Sequence, residues 1–177
     1  MKTDTQCVHS GSYFEKTTGG INTPIFTSSA YDYLGREDIP YPRYFNTPNQ
    51  KAVIDKLCAL ENTESGLLFS SGMAAISTVV VAFAGKGDHV VMQRDIYGST
   101  HHFASVEFER FGIDYTLVSN KPADFKAAIR DNTRLIYIET PSNPLLLVAD
   151  IAAVAEVARS HRIPSAIDNT FASPINQ

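Results

Sequence analysis

The chain has 177 residues, 44% of them hydrophobic, a length that suits one globular domain with a substantial core. Its 15 Lys and Arg stand against 19 Asp and Glu, a formal charge of −4 with no run of like charge, which argues against a nucleic-acid surface. The 2 cysteines, Cys7 and Cys58, form no C-x-x-C, so neither a disulfide framework nor a structural zinc site is expected, and no stretch approaches the roughly 20 apolar residues of a membrane span.

The polar N-terminus MKTDTQCVHS lacks an apolar core followed by a cleavage site, so no signal peptide is expected. The chain reads as a soluble protein with free thiols in a reducing cytoplasm. Up to Pro48 the sequence is irregular, with Gly11, Gly19, Gly20, Pro24, Pro40 and Pro42 interrupting every period. Tyr13, Phe14, Ile25, Phe26, Tyr31, Tyr33, Tyr41, Tyr44 and Phe45 make it too apolar for a disordered tail. Residues 1–48 are therefore expected to form an extended arm that packs on something.

Val53, Leu57 and Leu60, with Ile54, recur at helical spacing and predict an amphipathic helix over 49–62, with Cys58 in its packing. From there the chain alternates. Strands are predicted at 66–69, 88–92, 114–118, 134–139 and 164–168, and helices at 72–84, 99–111, 122–130 and 151–160. This order predicts βαβ units: an α/β fold with a mostly parallel sheet covered by helices on both faces, over 49–177. Met73 to Ala84 is apolar all round and predicts a helix buried on nearly every side.

In open α/β sheets ligands bind beyond the carboxyl ends of the strands, so the residues just past each strand are the candidates. Ser71, Gly72 and Met73 open a helix directly after a strand, which aims free N–H groups and the positive dipole end outward as a phosphate cradle. An ordinary Ser N-cap reads the same way. No G-x-G-x-x-G and no G-x-x-x-x-G-K-[ST] occurs, so a small phosphorylated ligand fits better than a nucleotide. Tyr97, before Gly98, is either a ring free to lie over a flat ligand or a packing residue. Asn143, in ETPSNP, is either an amide donor fixed between prolines or a turn former. Asp168 ends an apolar strand and either caps the next segment or pairs with a cationic ring nitrogen. His101 and His102 point about 100° apart on a helix, and Cys7 with His9 supplies only two ligands, so no metal site is expected.

The stretches INTPIFTSSAY, YPRYFNTPN, FSSGMAAI, DIYGST, ETPSNPLL and AIDNTFASP occur in this order from Ile21 onward. With them the chain resembles the Cys/Met-metabolism family of pyridoxal-phosphate enzymes, which includes cystathionine γ-synthase, cystathionine γ- and β-lyases, methionine γ-lyase and O-acetylhomoserine sulfhydrylase. The resemblance implies the aspartate aminotransferase-like fold of fold type I and pyridoxal 5'-phosphate as cofactor. It implies that Ser71 and the amides of Gly72 and Met73 hold the phosphate, that Tyr97 stacks on the ring and shares the acid–base work, that Asn143 contacts the ring hydroxyl, and that Asp168 pairs with the ring nitrogen. Tyr41 and Arg43 match the family's Tyr-x-Arg pair, which reaches a neighbouring subunit's cofactor phosphate, so a homo-oligomer, dimer or tetramer, is implied. The implied chemistry is elimination or replacement at Cγ, or at Cβ, of a small sulfur amino acid or O-acylhomoserine, without nucleic acid or membrane.

The chain also departs from the family. None of its lysines, Lys2, Lys16, Lys51, Lys56, Lys86, Lys121 and Lys126, lies in the context of the Schiff-base lysine, and the resemblance covers the first half of a family member. Residues 49–177 then read as the first part of the cofactor domain, and a non-catalytic N-terminal fragment is the alternative. Ser99 stands where familiar methionine γ-lyases carry Cys, which weighs against that activity.

Overall fold

The computed structural model describes every residue from Met1 to Gln177, and the chain forms two compact units, Met1–Phe69 and Ser70–Gln177.

The first unit is built on one long helix. A short helix α1 (Thr3–His9) and a 3-10 turn (Pro42–Tyr44) precede α2 (Pro48–Glu61), where Pro48 at the first position needs no hydrogen-bond acceptor. Gln50 Oε1 accepts from the Thr47 N–H at 3.2 Å and hydroxyl at 2.8 Å, which holds the entry to α2. Polar side chains tie the preceding segment to α2. The Asn49 amide spans Phe26 N–H and Pro24 carbonyl, both at 2.8 Å, and Lys56 Nζ donates to the Cys7 carbonyl at 2.8 Å. The arm expected to be irregular throughout 1–48 thus contains α1, a helix too short for a periodic signal to reveal. No apolar residue in this unit is buried; Phe14, Ile21, Ile25, Tyr33 and Leu34 are all exposed.

The second unit is a four-stranded, wholly parallel sheet in the order β2-β1-β3-β4: β1 (His89–Gln93), β2 (Asp114–Val118), β3 (Thr133–Glu139) and β4 (Ser165–Asp168). The helices are α3 (Gly72–Phe83), α4 (Gly98–His102), continued by a π turn (Phe103–Glu107) into α5 (Phe108–Phe111), then α6 (Pro122–Ala128), α7 (Ile151–Ser160) and α8 (Ser173–Asn176). Strand alternation sorts the core into two layers. Val90, Met92, Leu135 and Tyr137 meet Val80, Ala104 and Phe108 on one face, while Val91, Ile136 and Ile138 meet Phe125, Val154 and Ala158 on the other. Each large side chain so buried contributes about 1.5–3 kcal/mol.

Two expectations need correction. Residues 66–69 form no strand, because no neighbouring strand offers a ladder for their N–H and carbonyl groups, and Leu67 is exposed. Helix α3 is not buried on nearly every side: Val80 is fully buried, but Val81 and Phe83 are about half exposed. Apolar composition shows what a helix can bury, whereas the sheet covers only the stripe it touches. Small shifts also occur at the ends: the helix expected over 122–130 stops at Ala128, and the one expected over 99–111 is interrupted by the π turn. No helix is long and apolar enough to cross a membrane.

Candidate active site

Three strands deliver their succeeding loops to the same end of the sheet, and α3 starts there. Ser71 caps α3, its hydroxyl accepting from the Ala74 N–H at 3.1 Å, and the first helical bond runs from Ala75 N–H to the Ser71 carbonyl. The amides of Gly72 and Met73 are thereby left without intrahelical acceptors, at the positive end of the helix. After β1, Tyr97 stands at the N-terminus of α4 with its side chain partly exposed. After β3 comes Asn143, and β4 ends in Asp168, whose backbone pairs with that of Glu139.

These groups surround one cavity of about 360 Å³, lined by Ser71, Gly72, Met73, Ile76, Tyr97, Glu139, Pro141, Asn143, Asp168, Thr170 and Phe171. Its size falls at the lower end for a small-molecule site. Six of the eight residues singled out from the sequence meet in it: Ser71, Gly72, Met73, Tyr97, Asn143 and Asp168. Tyr41 and Arg43 do not; they belong to the first unit, with exposed side chains at the 3-10 turn.

The carboxylate of Asp168 is held on both oxygens. Oδ1 accepts from the Thr170 N–H at 3.0 Å and from the Thr170 hydroxyl, and Oδ2 accepts from the Tyr137 hydroxyl at 3.4 Å. Burial first, and the charge of Asp168 second, push the Tyr137 hydroxyl well above its usual range, so it acts as a donor. The chemistry of this donor set fits a phosphorylated pyridine: free amides at a helix N-terminus for the phosphate, an aromatic side chain for the ring, and a fixed carboxylate for a cationic ring nitrogen. No lysine lines the cavity.

A family model for Cys/Met metabolism PLP-dependent enzymes matches residues 4–177. The chain belongs to this family. A probable cystathionine γ-synthase of Herpetosiphon aurantiacus is 40% identical over 176 residues, 98% of this chain and 55% of that protein. The cystathionine γ-lyase of Bacillus subtilis is 38% identical over the whole chain and 47% of its own length. Among solved structures, cystathionine γ-lyase from Lactobacillus plantarum complexed with L-serine superposes with a TM-score of 0.91 at 40% identity, covering 98% of this chain and 46% of that one. The chain of this Cys/Met-metabolism protein thus spans about half the length of its relatives, and the cofactor its family implies is pyridoxal 5'-phosphate.

Sequence reasoning gave no role to Tyr137 or Glu139. Tyr137 reads as one more apolar position in a buried strand, and only the β3–β4 pairing brings its hydroxyl to Asp168. Glu139 carried a legible signal: an acidic residue closing the run Leu-Ile-Tyr-Ile, where a carboxylate is expensive to bury without partners.

Proposed function

We propose that this chain supplies the cofactor-binding shell of a pyridoxal-phosphate-dependent lyase or transferase of sulfur amino acid metabolism. The reaction is elimination or replacement on cystathionine, homocysteine, methionine or an O-acylhomoserine. The observation that carries the reading is the convergence of the α3 amides, Tyr97, Asn143 and Asp168 on one cavity in a member of this family.

Bound there, pyridoxal phosphate would supply an electron sink for negative charge developing at the substrate Cα. Ser71 and the amides of Gly72 and Met73 would hold its phosphate, and the Asp168 carboxylate would face the ring nitrogen. Tyr97 would cover the ring and, with its hydroxyl unengaged, could give or take a proton at the substrate. Asn143 would orient the ring through its free side-chain amide.

In this reading residues 1–48 make subunit contacts, and Tyr41 and Arg43 reach the neighbouring subunit's cofactor phosphate in a homo-oligomer, dimer or tetramer. The exposed apolar groups of the first unit and the unpaired Arg43 guanidinium support it. Residues 49–177 then form the first part of the cofactor domain. Two free cysteines fit a reducing cytoplasm.

A second reading, a non-catalytic cofactor-binding segment, is favoured for these 177 residues by the lack of a lysine in the cavity. Adding pyridoxal 5'-phosphate, trapping with borohydride and mapping modified lysines separates the two: one saturable adduct supports catalysis by this chain, scattered adducts the segment. Saturable quenching of tyrosine fluorescence by pyridoxine 5'-phosphate, which forms no adduct, is expected under both. Its absence overturns the cofactor assignment for this chain.

A further inference from the structure

We infer that Glu139 is a positioning residue of this site, a carboxylate clamp that ties the loop after β1 to the loop after β3 and so sets Tyr97 and Asn143 relative to one another across the cavity. The inference rests on the cofactor reading above only for its consequence in binding. The clamp itself is a property of this chain.

Glu139 ends β3, is 4% exposed and lines the cavity. Its Oε2 accepts from the backbone N–H of Tyr97 and its Oε1 from the backbone N–H of Asn143, both at 2.7 Å. These are short, charge-assisted bonds from residues that approach the site from different strands. One rigid carboxylate plane thereby fixes the distance between the two loops.

The residue type is what such a clamp requires. Two N–H groups facing two oxygens need two acceptors, which only an ionised carboxylate offers at this length; Gln would set an NH2 against one of them. The arrangement is costly. No Lys or Arg pairs with Glu139, and Asp168 lies at the paired position of β4. Burial first, and Asp168 as well, raise the Glu139 carboxyl above its usual range, while the two amides pull it back down. Protonation would turn one oxygen into a donor and release one loop. A purely structural core position would more cheaply carry an apolar residue.

The test is Glu139→Gln in this chain, read in two ways. By NMR hydrogen exchange, the amide of Tyr97 or Asn143 should exchange at least about tenfold faster, the size of one lost charged hydrogen bond, with the amides of Phe108 and Val154 unchanged. In titrations, affinity for pyridoxine 5'-phosphate should fall about tenfold while affinity for inorganic phosphate, which needs only the Ser71–Met73 cradle, stays the same. Unchanged exchange at both amides overturns the clamp, and so does equal loss of both affinities, which would mean general damage. If the unmodified chain binds no pyridoxine phosphate, the cofactor reading fails, and the exchange rates alone decide whether Glu139 clamps the loops.

Discussion

Asp168 and His89 sit at opposite ends of the same sheet, and each takes a side-chain hydrogen-bond partner from another strand. Asp168→Asn keeps the size of the side chain and an acceptor for the Thr170 N–H, but removes the charge that would face a ring nitrogen. Affinity for pyridoxine 5'-phosphate is expected to drop about tenfold while unfolding free energy changes by less than about 1 kcal/mol, as for a partly exposed residue. Unaltered affinity would show that the carboxylate does not face the ring. His89 is fully buried, with Nδ1 bonded to the Thr133 hydroxyl and Nε2 to the Thr116 hydroxyl, both at 2.9 Å. Burial first, then the charge of Arg130, lower its pKa below 6.5, against the opposing pull of Asp114. The unfolded chain therefore takes up this proton first. The stability that neutral His89 provides is complete above pH 6.5 and is lost as pH falls through the lower folded value. Urea unfolding at stepped pH should show this decline, and His89→Gln should flatten it.

At the scale of elements, the helices were readable where a full amphipathic period or a cap was present, and misread where burial had to be inferred from composition. Helix α7 begins as its sequence dictates: Asp150 Oδ1 accepts from the Ala153 N–H at 2.9 Å, and Val154 and Ala158 fall on the covered stripe. Asp150→Ala is expected to cost about 1 kcal/mol by thermal unfolding. Phe108→Ala, which empties the fully buried centre of the core layer shared with Met92 and Tyr137, is expected to cost about 3–5 kcal/mol. If it costs less than Asp150→Ala, the packing of α5 on the sheet is wrong. The segment 66–69 has a strand's composition but no ladder, since pairing partners are not encoded in the segment that seeks them.

For the whole molecule, the proposal that the exposed apolar residues of the first unit and the unpaired Arg43 meet further copies of the chain is open to a direct test. Sedimentation is expected to show concentration-dependent assembly, and a monomer across the range would count against the arm's role. In an assembled protein, Arg43→Ala should weaken cofactor retention about tenfold, the roughly 1.5 kcal/mol that a hydrogen bond to a charged group carries. Unchanged retention would mean that Arg43 does not reach a neighbour's phosphate.

The sequence alone determined the alternation of strands and helices, the parallel sheet, the cap and free amides at Ser71–Met73, and the approach of Tyr97, Asn143 and Asp168 to one rim, because each depends on local periodicity or on position just past the end of a strand. Tertiary structure decided which faces of α3 stay bare, that Tyr137 holds Asp168, and that Glu139 bridges two loops. The last two depend on contacts between residues 31 and 42 positions apart in the chain, a distance over which no local pattern carries information.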